Sequence, residues 1–201
     1  MKILALETST DFATLAFGEG ERIVWRHAFA AHRKLSSDLA LHVEVALREA
    51  GVPDVLAVGV GPGSYAGVRV AIATATGLSA VLGCRLLGIP SVAAFAAPDE
   101  SFQVVGDARR GSWYYAQVEA GVCTRGPLLA SGVEELREWL RCGTGPVWSS
   151  EACQALECPL QRGLPDAHVL CQLAARGKSV VFREDLEPLY LREASITRPT
   201  G

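Results

Sequence analysis

No two cysteines in this chain stand as C-x-x-C, although six are present, at positions 84, 123, 142, 153, 158 and 171. That absence excludes a zinc ribbon, whose ligands come in such pairs. Nor do two histidines stand four apart on a predicted helix: the histidines are His27, His32, His42 and His168. Positive charge is not in excess either. The formal net charge is −3 at pH 7, which gives no global attraction to nucleic acid. A leading apolar run is missing, because Met1-Lys-Ile-Leu-Ala-Leu stops at Glu7, too short for a signal peptide. One window, residues 66–83, is apolar enough to raise the question of a membrane span. Arg69 and the threonines inside it argue against one. Thiols in a reducing compartment and a soluble, cytoplasmic protein without a membrane partner are therefore expected.

What the chain does have is length and apolar content. Its 201 residues, 49% apolar and 20% charged, allow one large domain or two small lobes around a sizeable core. Lys2 to Thr8, Ala13 to Gly18 and Glu21 to Phe29 read as strands joined by turns at Asp11-Phe12 and Glu19-Gly20, an antiparallel meander. Leu35, Leu39, Val43, Ala46, Leu47 and Ala50 recur at three and four, which predicts a helix stopped by Gly51 and Pro53. Val55 to Val60 reads as a buried strand, Arg85 to Ile89 as a short one, and Ser91 to Ala97 as a short helix before a linker at Pro98-Asp99-Glu100. The pattern then restarts. Phe102 to Asp107 is a strand ending in an acid, followed by Ala-Arg-Arg-Gly111 and a partner strand, Ser112 to Ala120. Trp113 and Tyr115 share one face of it and Tyr114 takes the other. Val133 to Leu140 predicts a short amphipathic helix, Gly145 to Ser149 a strand, and Asp166 to Arg176 a helix capped by Asp166. Each half thus opens as strand, acid, loop, strand. Two related lobes are expected, residues 1–98 and a smaller 99–201, with the tail free to return to the first.

Gly61-Pro-Gly-Ser-Tyr-Ala-Gly-Val-Arg69 joins strand 55–60 to a helix from Val70 to Leu82. Backbone N–H groups at such a bend, at the positive end of a helix, suit an anion. Thr8, Ser9, Gly61, Gly63, Ser64 and Arg69 are accordingly candidates for a phosphate or nucleotide site. The plainer reading is a tight turn that lets the helix lie close on the sheet. The loop is no Walker A sequence, since Val68 stands where lysine is needed. Arg69 sits at the wrong end of the dipole for a cation and calls for a carboxylate, an anion or a partner. The helix is rich in alanine, glycine, serine and threonine, so another helix can approach closely. We expect a partner surface on Leu39, Val43 and Leu47 of the first helix and Val70, Thr74, Gly77, Leu78 and Val81 of this one, two helices from each protein. His32, Arg109 and Arg110 are open to ligand contact or to plain solvation.

Glu7-Thr-Ser-Thr10, the loop 61–69, Gly88-Ile-Pro-Ser91, Asp107-Ala-Arg-Arg-Gly111 and Pro188-Leu-Tyr-Leu-Arg192 resemble the bacterial TsaB (YeaZ) family. The match is good over residues 1–115 and fair in the tail; residues 120–185 match poorly and are short for the family. The resemblance implies an α/β fold of the actin/Hsp70/sugar-kinase (ASKHA) type, each lobe opening with an antiparallel meander. It implies a non-catalytic role in forming threonylcarbamoyladenosine (t6A) at position 37 of tRNAs reading codons that start with A. The implied partners are the catalytic paralogue TsaD and the ATPase TsaE. The chain is expected to form a homodimer when alone and to touch tRNA only indirectly, while TsaC makes the activated donor. TsaD-like enzymes carry an HxxxH metal pair where this chain has Ser91-Val-Ala-Ala-Phe95, and serine and phenylalanine supply no such ligands. No catalytic residue, metal or required cofactor is expected, with weak nucleotide binding left open. The alternative is an ATP-dependent phosphotransferase of the same fold, using Glu7 or Asp107 for a metal and Ser9 and Ser64 on phosphates.

Overall fold

Five of the six residues in Lys2–Glu7 are buried, so this strand, β1, is covered on both faces. The computed structural model describes residues 1–31, 33–97, 99–153, 156, 158–178, 181–182 and 186–191. His32, Pro98 of the expected linker, and Arg192 with the polar tail lie outside the described residues. Strands β2 (Phe12–Glu19) and β3 (Arg22–Ala30) follow β1 as the antiparallel meander that the turns predict. On its other side β1 pairs in parallel with β4 (Val55–Gly59), and β4 with β5 (Arg85–Ile89).

Side chains alternate across a strand. Leu4 and Leu6 of β1, with Leu15 and Phe17 of β2, point to one face. There they meet Leu39, Val43 and Ala46 of α1 (Leu35–Ala50) and Val68, Ala71 and Ala75 of α2 (Tyr65–Leu82). Ile3, Ala5 and Ala16 point to the other face, towards the second half of the chain.

That half builds its own sheet from β6 (Ser101–Asp107), β7 (Trp113–Glu119), β8 (Val122–Ala130), β9 (Val147–Ser149) and β10 (Leu160–Arg162), in the order β10-β9-β6-β7-β8. Val105 and Tyr115 face α3 (Val133–Cys142) through Leu136, while Val104, Tyr114 and Ala116 face inward. The opposite placement of Tyr114 and Tyr115 is the one the alternation predicts.

Between the two sheets lie α4 (Ala167–Ala175) and a 3-10 turn, Ser91–Ala94. Asp166 caps α4, its Oδ1 accepting from His168 N–H at 2.9 Å. Ala167 N–H donates to the buried Thr14 hydroxyl at 2.9 Å, and Arg176 pairs with Glu21 at 2.6 Å. A helix from the second half therefore covers the inner face of the first sheet. Finally β11 (Val181–Phe182) adds antiparallel to β5, so the first sheet runs β11-β5-β4-β1-β2-β3. The expected helix at 91–97 is shorter than its apolar run, because Phe95 is extended and pairs with Pro165.

Candidate functional site

The chain leaves β4 and must reverse into α2 within a few residues, and glycines allow it to do so pressed against β1. A Cβ on Gly63 would lie 2.2 Å from the carbonyl oxygen of Ser9, and one on Gly67 would lie 2.0 Å from that of Thr8. The loop and the first turn of α2 thus rest backbone to backbone on the β1–β2 connection. Ser64 N–H donates to the Ser9 carbonyl at 2.7 Å, and the Thr8 hydroxyl donates to the Gly67 carbonyl at 2.8 Å. The Ser64 hydroxyl caps α2 by accepting from Gly67 N–H at 3.2 Å. Gly61 N–H goes to Ser91 Oγ at 3.1 Å and Ser9 N–H to Glu7 Oε1 at 2.7 Å. The sequence-predicted group of Thr8, Ser9, Gly61, Gly63 and Ser64 is brought together, but these polar groups answer one another. The geometry is that of the tight turn.

Arg69 turns back on its own helix. It donates to the Tyr65 hydroxyl, and its guanidinium stands 5.0 Å from the centre of that ring. No carboxylate among the described residues pairs with it.

Glu7 lies under this knot. Its Oε2 is buried without a hydrogen-bond partner, and Gly59 makes the room, since a Cβ there would sit 1.9 Å from that oxygen. Burial, only partly opposed by hydrogen bonds from Ser9, pushes the carboxyl above the usual carboxylate range. A sealed carboxyl of this kind is ill placed to reach a metal. Asp107, at the matching place in the second half, is different. Its Oδ1 accepts from Arg109 N–H at 2.6 Å and closes a turn in which Arg109 and Arg110 both adopt positive φ, 65° and 56°. For Glu7 the sign is clear. Stability is fully present below the ordinary pKa of an unfolded glutamate and is lost as pH rises through the raised folded value. Glu7→Gln should therefore melt like the parent near pH 4. At about pH 8 it should be more stable by roughly 1–3 kcal/mol, the cost of a buried unsatisfied group. Denaturant unfolding at the two pH values measures this; equal stability at both would remove the argument.

On α2, Gly67, Val68, Ala71, Ile72 and Ala75 form the buried stripe. Ala66, Arg69, Ala73, Thr76, Gly77 and Ala80 face solvent, and Val81 is 83% exposed. This helix is long and apolar enough to cross a membrane, yet it lies on the sheet with five of its 18 residues buried. Two of the expected partner residues are corrected by the structure. Leu39 and Val43 are 0% and 3% exposed, because the i, i+4 stripe that marks α1 is the face packed on the first sheet. Leu47, Val70 and Leu78 are half-buried against the same core, and Thr74 is half-buried. Gly77 and Val81 lie in the open. The sequence reading missed Ala66, Ala73 and Ala80, which continue the exposed face, and Leu41, exposed on α1. Their spacing from Gly77 was the signal; alanine, common in cores, hid it.

Residues 29–184 match the family described as TsaD, tRNA N6-adenosine threonylcarbamoyltransferase. The chain belongs to this family. Within it, the likeness to TsaB runs end to end. The chain is 28% identical to "tRNA threonylcarbamoyladenosine biosynthesis protein TsaB" of Escherichia coli K12, covering 96% of this chain and 95% of that protein. The solved structure of YeaZ from Pseudomonas aeruginosa superposes with a TM-score of 0.70 at 26% identity, covering 94% of this chain and 99% of that one. An uncharacterized protein of Mycobacterium leprae, ML0378, is 32% identical over 64% of this chain, which spans 38% of its length. The resemblance carried by the glycine loop is thus borne out, as is the two-sheeted α/β fold. At the place of the TsaD histidine pair, Ser91 accepts from Gly61 N–H and Phe95 is buried in the core between the sheets. Among the described residues no three His, Cys, Asp or Glu side chains are grouped to hold a metal.

Proposed function

We propose that this chain is the non-catalytic subunit of the threonylcarbamoyl-tRNA machinery, pairing with TsaD in the cytoplasm and supporting the docking of TsaE. On this reading the product is t6A at position 37 of tRNAs reading codons that start with A. The chain needs no cofactor of its own, meets tRNA only through its partners, and forms a homodimer when alone. The end-to-end likeness to TsaB supports the pathway. The observation that carries the role is α2. An apolar helix of 18 residues with only five of them buried leaves a face of small side chains in water, and such a face lets a second helix approach closely. The occupied polar groups of the glycine loop and the sealed Glu7 count against phosphoryl transfer at the same place.

The direct test is reconstitution. TsaC, TsaD, TsaE, tRNA, threonine, bicarbonate and ATP are incubated with and without the chain, and t6A is measured. Formation should fall to background when the chain is left out. Equal yields in both reactions would end this reading.

A further inference from the structure

Of the 18 residues of α2, Arg69 alone is charged. Its place on the helix is specific. Positions 69, 73, 76 and 80 fall on one stripe at helical spacing, and Arg69, Ala73, Thr76 and Ala80 are all exposed. The cation therefore stands at one end of the row of small side chains that faces water.

Nothing in the fold asks for a cation there. The positive end of a helix disfavours one. Arg69 folds back to donate to the hydroxyl of Tyr65, the first residue of α2, so its charge hangs over that unfavourable end. The hydroxyl is neutral and leaves the charge uncompensated. Among the described residues no carboxylate pairs with Arg69, not even Glu187 on the segment that carries Tyr190.

Yet the guanidinium is held in place. It stands 5.0 Å from the centre of the Tyr65 ring, and that ring lies 5.5 Å from the ring of Tyr190. The two tyrosines are 57% and 53% exposed. They stand in the wall of a cleft of about 1150 Å³ between the two halves, and Arg69 lies outside its lining. A positioned guanidinium with an aromatic collar thus faces outward. Its planar fork matches a carboxylate by two parallel hydrogen bonds, and neighbours that exclude water strengthen such a contact.

The next step rests on the reading that α2 meets TsaD. A segment that covers the small-residue row covers Arg69 with it, and burying a lone cation is strongly unfavourable unless a counter-charge arrives with the partner. We propose that the partner segment seated on α2 carries a glutamate or aspartate that pairs with Arg69 and fixes the register of the two segments. A second copy of α2 has no acidic residue to offer, which favours a different protein as the source.

The test measures TsaD binding by calorimetry for Arg69→Gln and Arg69→Glu beside Ala73→Glu. Arg69→Gln should weaken binding by about tenfold or more, and Arg69→Glu by about a hundredfold. Melting should stay level or rise by about a degree or two, because the helix dipole gains when the cation leaves. Surface acids of TsaD are then reversed to arginine one at a time against Arg69→Glu, and one reversal should recover most of the lost affinity. A purely structural role would not answer to that swap. Parent affinity for both Arg69 variants, with Ala73→Glu failing to bind, overturns the pair and leaves α2 as the interface. Parent affinity for all three removes α2 from the interface and the pair with it. Weakened binding that no reversal restores also overturns the proposal. So does a homodimer that Arg69→Gln dissociates with TsaD binding unchanged, which assigns the carboxylate to a second copy. Loss of direct tRNA binding by Arg69→Gln with TsaD binding unchanged overturns it too, since the anion is then a phosphate.

Discussion

Gly67→Ala should destabilise the protein by about 2–3 kcal/mol, at the upper end for an overpacked site. The added methyl would lie 2.0 Å from the Thr8 carbonyl oxygen and 3.2 Å from Ser64 Oγ. The first of these is backbone in the middle of a sheet connection, so no side chain can swing away. Both backbone groups of Gly67 are also bonded, its N–H to Ser64 Oγ and its carbonyl to the Thr8 hydroxyl. Pushing α2 back to admit the methyl breaks both, and loosens the Ser64–Ser9 bond with them. For a chain of this size the melting temperature should fall by roughly 5–10 °C. Gly77→Ala is the control. Nothing lies within 4 Å of a Cβ there, and alanine is the better helix former by about 1 kcal/mol. The same change ten residues along one helix should thus have opposite signs. Circular-dichroism melts of the two variants decide it, and a Gly67→Ala protein as stable as the parent would show that the backbone contact is not there.

The second large effect concerns assembly rather than folding. Ala73→Glu and Val81→Glu each place a carboxylate on the exposed face of α2, outside the core. Melting should change little. If TsaD covers this face, an unpaired charge is buried on association and costs about 3 kcal/mol, close to a hundredfold in affinity. Both variants should bind TsaD at least that much more weakly by calorimetry and should fail in the t6A reconstitution. Leu39→Ala is the informative contrast. Its side chain is enclosed by the sheet, so it should lower the melting temperature by the cavity effect and affect binding only through that. Wild-type affinity for the glutamate variants would place the interface elsewhere.

The fold was legible where local chemistry is strong. The meander is written in Glu19-Gly20 and alternating apolar residues, α1 in its three-and-four spacing, and the start of α4 in Pro165-Asp166. Less legible was the second half. β8 carries Gly126 and Pro127, and its pairing with β7 shifts register, so the alternation that announces a strand is broken. At the site, Thr8, Ser9 and Ser64 do lie together, but the sequence gave no sign of which way their polar groups turn. That depends on contacts across the β1–β2 connection, which no spacing records. The assignment of Leu39 and Val43 to a surface failed for a related reason. Periodicity identifies the apolar face of α1, and only the packed sheet shows that this face is already taken.

One consequence follows from the position of α4. Because this late helix plugs the back of the opening sheet and ties Thr14 and Glu21 to Ala167 and Arg176, neither half owns a finished interior. The molecule should denature in one sharp step, and the gap between its halves should keep a fixed width rather than opening and shutting like a jaw.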